Sequence, residues 1–141
     1  MLESAALLAL VGGMAAFGCG GFVHDEHLIG RYYLNAVDIP EQMSVSYALG
    51  NGNELGLIDE TVFAVGWNDR YIVAKQHPAN DRRVTNYYYL EMALDSTLLK
   101  PSNDPNWQHK SVTGPLTEAV FLAKKAELRL PDFTRVIRSL E

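Results

Sequence analysis

Residues 61–76 constrain the fold more than any other stretch of the chain. Val62-Phe63-Ala64-Val65-Gly66-Trp67 is a near-continuous apolar run, as expected of a central strand covered on both faces. Asn68-Asp69 separates it from a second run, in which Tyr71, Val73 and Lys75 alternate with Ile72, Ala74 and Gln76. Asn and Asp both tolerate the positive φ that primed turns require, so the spacing predicts a tight β-hairpin over 61–76. A chain carrying such a hairpin near its middle has to be built around a sheet.

Three further segments have strand character. Residues 31–37 open with Tyr32-Tyr33-Leu34 and stop at Asp38-Ile39-Pro40-Glu41, where Pro40 lacks the N–H of a central strand. Residues 43–49 set Met43, Val45, Tyr47 and Leu49 on one face and Ser44, Ser46 and Ala48 on the other, before the turn Gly50-Asn51-Gly52-Asn53. Residues 85–92 carry Tyr87-Tyr88-Tyr89-Leu90. Prolines and small polar residues mark 100–114 as a surface loop that Trp107 pins down. Two helices are expected to follow. Gly114-Pro115 opens the first, with Leu116, Ala119, Val120 and Ala123 at helical spacing, and Asp132 caps the second, with Phe133, Val136, Ile137 and Leu140 at i, i+3, i+4 and i+7. Their apolar stripes need a sheet to cover. The expected class is therefore α+β, a five-stranded antiparallel meander with C-terminal helices packed on one face. With 141 residues, 48% apolar and 21% charged, one folded domain over 30–141 is the natural reading.

The N-terminal part differs in kind. Residues 4–23 contain no charge, and five glycines weaken any helix there. An apolar stretch over 5–10 followed by Ala15-Ala16-Phe17-Gly18 has the outline of a secretory signal. The one cysteine of the chain, Cys19, stands at its end, just after a small residue, in Ala16-Phe17-Gly18-Cys19-Gly20-Gly21. That arrangement looks like a bacterial lipoprotein signal, in which the cysteine becomes the new N-terminus and carries lipid. Ala16 and Phe17 stand where such signals usually have Leu and a small residue, and Glu3 stands in an n-region that holds no Lys or Arg. An uncleaved membrane helix and a buried helix of a soluble domain are the competing readings. Residues 1–22 are thus expected to be a signal peptide or membrane anchor, and 23–29 a polar tether.

Several of these motifs coincide. Cys19, Gly30-Arg31-Tyr32-Tyr33-Leu34, Met43-Ser44-Val45-Ser46-Tyr47 and Asn68-Asp69-Arg70-Tyr71-Ile72 leading to Lys75-Gln76-His77-Pro78 together resemble a small family of bacterial lipoprotein-like proteins of unknown function. The resemblance covers about residues 19–90. It implies export and lipidation and carries over no activity.

Charge and composition exclude several functions. A net charge of −5 without a basic stretch argues against nucleic acid as a partner, and one cysteine cannot form an intrachain disulfide or a Cys-based zinc cluster. Residues 23–78 hold eight acids against three bases, whereas 115–141 hold four against five. The acidic half favours a basic partner or a cation. His24-x-x-His27 with Asp25 and Glu26 would offer two imidazoles from one helical turn, too few to close a metal site. No metal or cofactor is expected. Lys75, Gln76 and His77 bring an ammonium, an amide and an imidazole to the end of a strand, where sites are commonly built. The usual motifs for nucleophilic, zinc or phosphate chemistry are absent from the sequence. Exposed tyrosines with Trp67 or Trp107 would suit an interface.

These observations point to binding rather than catalysis, with Trp67, Asn68, Asp69, Tyr71, Lys75 and His77 as the binding residues. The expected protein is a lipoprotein of the bacterial cell envelope, held to the membrane through lipid on Cys19 and facing outside the cytoplasm. It would act as a protein-binding module, an immunity-type protein being one form. A small envelope enzyme using Lys75 and His77, with Asp69 completing an acid–base set, and an intracellular structural domain are the alternatives.

Overall fold

The computed structural model describes residues 21–94, 105 and 107–141. Cys19 and nearly all of the expected signal segment lie outside these residues. Two antiparallel sheets and one α-helix make up the described fold. The first sheet is a meander of β1 (His24–Ile29), β2 (Tyr32–Ala36), β3 (Ser44–Ala48) and β4 (Glu54–Ile58), in that spatial order. The second contains β5 (Val62–Trp67), β6 (Tyr71–Gln76), β7 (Asn86–Glu91), β8 (Val112–Leu116) and β9 (Arg135–Val136), in the order β8-β7-β6-β5-β9. The helix α1 spans Glu118–Leu128.

Strand alternation decides what each face meets. On β6, Ile72 and Ala74 join a core that also takes Leu34, Val45 and Ile58 from the first sheet and Leu90 from β7. Tyr71 and Val73 point the other way, into a second cluster with Tyr87, Phe121 of α1 and Leu130. The second sheet is therefore a middle layer, with the first sheet on one side and α1 on the other. Phe121 is the buried residue of α1. Thr117 caps the helix by accepting from the Val120 N–H at 3.3 Å, and Arg129 ends it in the left-handed region at φ 56°.

The hairpin forms with Trp67 paired to Ile72. Its turn is centred one residue later than expected, on Asp69-Arg70, and neither residue has a positive φ. The Asn68 side chain shapes it, with Oδ1 accepting from the N–H groups of Arg70 at 2.9 Å and Tyr71 at 2.7 Å.

Four expectations need correction. The single five-stranded meander is replaced by two sheets, because Glu54–Ile58, Val112–Leu116 and Arg135–Val136 are also strands. Residues 23–29 are not a tether, since His24–Ile29 pairs along β2. Gly114-Pro115 lies within β8 as a cis peptide, and the helix begins after Thr117. The second C-terminal helix is absent. Thr134 donates to the Val65 carbonyl at 3.0 Å and Ile137 to that of Phe63 at 2.7 Å, so this segment adds an edge strand to β5. Phe133 packs against both clusters, and Val136, Ile137 and Leu140 reach the inter-sheet core.

Candidate functional site

The strand ends leave an open groove of about 650 Å³ where the two sheets meet. The first sheet contributes Ser44 of β3 and Gly56 of β4, and the second contributes Gln76 of β6 with Asn86 and Tyr88 of β7. Val37, Asp38 and Gln42 come from the connection after β2, Asp59 and Glu60 from the link between the sheets, and Pro78 and Ala79 from the turn after β6.

Local chemistry holds these segments in place. Pro40 opens a single 3₁₀ turn, Pro40–Gln42, and the Gln42 side-chain oxygen accepts from the Asp38 N–H at 2.8 Å. Thr61 is fully buried. Its hydroxyl donates to the Glu41 carbonyl, and its backbone exchanges two hydrogen bonds of 2.9 Å with His77. The floor is an amide–hydroxyl network centred on Gln76, which is 4% exposed. Gln76 donates to the Asp59 carbonyl at 2.8 Å, and its own oxygen accepts from Asn86 Nδ2 and the Tyr88 hydroxyl, each at 3.1 Å. Every polar atom of that amide but one N–H is thus committed. Burial pushes the Tyr88 phenol up from its ordinary value and the Asp59 charge adds to this, outweighing the opposing effect of its hydrogen-bonding neighbours Gln76 and Asn86. The phenol therefore stays protonated as a donor.

The electrostatics are one-sided. Asp38, Asp59 and Glu60 line the groove, and Glu41 lies in a smaller adjoining depression of about 360 Å³ that shares Gln42, Glu60 and Ala79. Among the described residues, no Lys, Arg or His lines either space, and no ion pair found there engages these four carboxylates. Nor do three His, Cys, Asp or Glu side chains converge among the described residues as a metal would require. Beside the groove, Asn35 and Ser46 donate to the Glu54 carboxylate, which fixes the polar face of the first sheet.

The six residues expected to bind do not form one constellation. Trp67, Asn68, Asp69 and Tyr71 sit at the hairpin turn, while Lys75 and His77 lie toward the opposite end of β6, roughly 20 Å from the turn at about 3.3 Å per residue. Trp67 packs on the inter-sheet core and Tyr71 is buried against Tyr89. Asn68 structures the turn and Asp69 is exposed. The Lys75 ammonium lies over Phe133 at 4.8 Å and Tyr87 at 5.6 Å. His77 is 4% exposed, stacks on Phe63 at 4.1 Å and donates from Nδ1 to the Val84 carbonyl at 2.9 Å. Its partners are those of a scaffold residue, and they are not shared with Lys75. The pair at His24 and His27 lies on a strand, where a spacing of three sends the rings to opposite faces. His24 meets Glu26 at 3.1 Å, and His27 donates to the Gly30 carbonyl at 2.8 Å.

Spacing gave no sign of the groove, whose lining spans residues 37–88. The signal that existed was the acidic excess over 23–78, which supplies all four carboxylates. No helix among the described residues is long and apolar enough to cross a membrane. No curated protein and no solved structure matches the chain. Residues 29–136 match a family described as "Protein of unknown function (DUF3997)". With more than half its length so matched, the chain belongs to the DUF3997 family.

Proposed function

We propose that the protein is a lipoprotein of the bacterial cell envelope, tethered by lipid on Cys19 and facing outside the cytoplasm, and that its folded part is a protein-binding module, an immunity-type protein being one form. The acidic groove carries the binding reading. Its volume of about 650 Å³ is that of a ligand site, typically about 300–1,000 Å³. Small-molecule sites are mostly apolar, however, whereas this one is open and lined by three carboxylates and three side-chain amides. That lining suits a Lys- or Arg-bearing segment of a partner protein, whose ammonium or guanidinium groups would meet Asp38, Asp59 and Glu60. The tether rests on the signal-like run ending at Cys19 and on the resemblance of residues 19–90 to lipoprotein-like chains.

Titration calorimetry of the full chain with a short Lys- and Arg-rich peptide, at low and physiological ionic strength, tests the groove. Binding should weaken as salt screens the carboxylates, and should be lost in an Asp38→Asn, Asp59→Asn, Glu60→Gln variant that keeps its unfolding midpoint. Equal binding by the variant, or none by the wild type, refutes the assignment.

A further inference from the structure

We propose that the folded domain rests directly on the bilayer through an apolar corner formed by Phe22, Val23, Val37 and Ile39, an inference that builds on the lipid anchor at Cys19. Val23, Val37 and Ile39 are each more than half exposed, and Phe22 is 37% exposed. The backbone gathers them. The Val23 N–H donates to the carbonyls of Ala36 at 2.9 Å and Val37 at 3.3 Å. Since His24 pairs with Ala36, the same register sets Val23 opposite Val37. Ile39 follows two residues later, just before the 3₁₀ turn. Among the described residues, the other exposed large apolar ones, Val84, Leu94, Val120 and Leu122, belong to other segments, and scattered ones need no explanation.

The corner lies where the anchor enters, which decides its partner. Four residues of chain from Cys19 to Val23 span at most about 14 Å. A headgroup layer is roughly 5–8 Å thick on each side of the hydrocarbon. A lipid held in the acyl region through Cys19 therefore keeps Val23 within or just above the headgroups. Apolar side chains at that depth gain by entering the boundary between headgroups and acyl chains. Asp38 and Glu41 flank the corner, so contact has to come from apolar insertion and not from attraction to anionic lipid. Val37 and Asp38 also line the acidic groove. The groove therefore opens beside the membrane, and a partner meets it along the surface.

The test uses the full chain produced in a bacterium, checked by intact mass for lipid on Cys19 and reconstituted in phosphatidylcholine vesicles brominated on the acyl chains. Ile39→Trp adds a reporter at the corner and Leu122→Trp adds one on α1. Unfolding midpoints confirm that both variants keep the fold. The expected result is loss of emission from the Ile39→Trp reporter beyond the parent's background from Trp67 and Trp107, unchanged by salt, with no such loss for Leu122→Trp. Lipid-modified protein whose Ile39→Trp reporter is unquenched, or whose Leu122→Trp reporter is quenched equally, overturns the seat while leaving the anchor intact. Unmodified Cys19 overturns the anchor and the seat together.

Discussion

Replacing Gly66 with Ala probes the packing of the C-terminal segment on β5. A Cβ at Gly66 would stand 1.8 Å from the Asp132 carbonyl oxygen and 2.8 Å from its carbon, where ordinary contact begins at 3.4 Å. The two backbones have to part by roughly 1.5 Å to restore contact distance. Overpacking of this kind costs about 1–3 kcal/mol. The separation also strains the bonds from Thr134 to Val65 and from Ile137 to Phe63, each worth about 1 kcal/mol. Against this, Ala in place of Gly recovers about 0.5–1 kcal/mol through the unfolded chain. The expected net loss is about 2–4 kcal/mol. Urea unfolding measures it as a lower midpoint with an unchanged slope. Gly56→Ala is the control, because nothing lies within 4 Å of its Cβ, and its midpoint should hold or rise slightly through the same unfolded-chain gain. A Gly66→Ala midpoint equal to the parent's refutes the docking of residues 132–137 on β5.

Two further perturbations test other joints of the fold. Arg135 donates through Nε and Nη2 to both oxygens of Glu26 at 3.0–3.1 Å, tying β9 to β1. This hydrogen bonding, against some burial and with help from His24, holds the Glu26 carboxyl below its usual value. The resulting stability is present above the unfolded carboxyl pKa and is lost as pH falls through the lower folded value. With the Arg135 side chain 40% exposed, the contribution is about 1 kcal/mol or less. Wild type should thus exceed Glu26→Gln by about that margin at neutral pH, with the gap closing under acid in unfolding titrations; a pH-independent gap argues against the linkage. On α1, Phe121→Ala should cost about 3–5 kcal/mol, whereas Leu122→Ala should stay within about 0.5 kcal/mol. Phe121 is 1% exposed and Leu122 is 53% exposed, so similar losses in thermal unfolding would misplace the helix face.

Elements with local causes were legible in the sequence. The apolar run at Val62–Trp67 and the alternation at Tyr71–Gln76 both form strands, and Asn68 turns the chain between them. Alternation also marked Val45 and Tyr47 of β3 as buried. The misread elements owe their state to distant partners. Val136 and Ile137 are spaced as in a helix, but an open edge of β5 captures them, and tertiary pairing outweighs propensity. The strand Glu54–Ile58 contains Gly56 and stands after a glycine-rich turn, which hid it until β3 supplied its register. The groove is the extreme case. Gln76 stands between Lys75 and His77 in the sequence, yet its role comes from Asn86 and Tyr88, which the pairing of β6 with β7 brings to it, and from Asp59 in the link between the sheets.

The most direct measurement is the mass of the mature N-terminus in fractionated bacteria expressing the full chain, together with its native upstream sequence if one exists, beside a Cys19→Ala variant. A tethered envelope module requires membrane-bound protein that begins at Cys19 and carries diacylglyceryl mass, with both features lost in the variant. Full-length, unmodified protein in the cytosol, with the variant behaving identically, would contradict the envelope assignment and leave the acidic groove to be explained inside the cell.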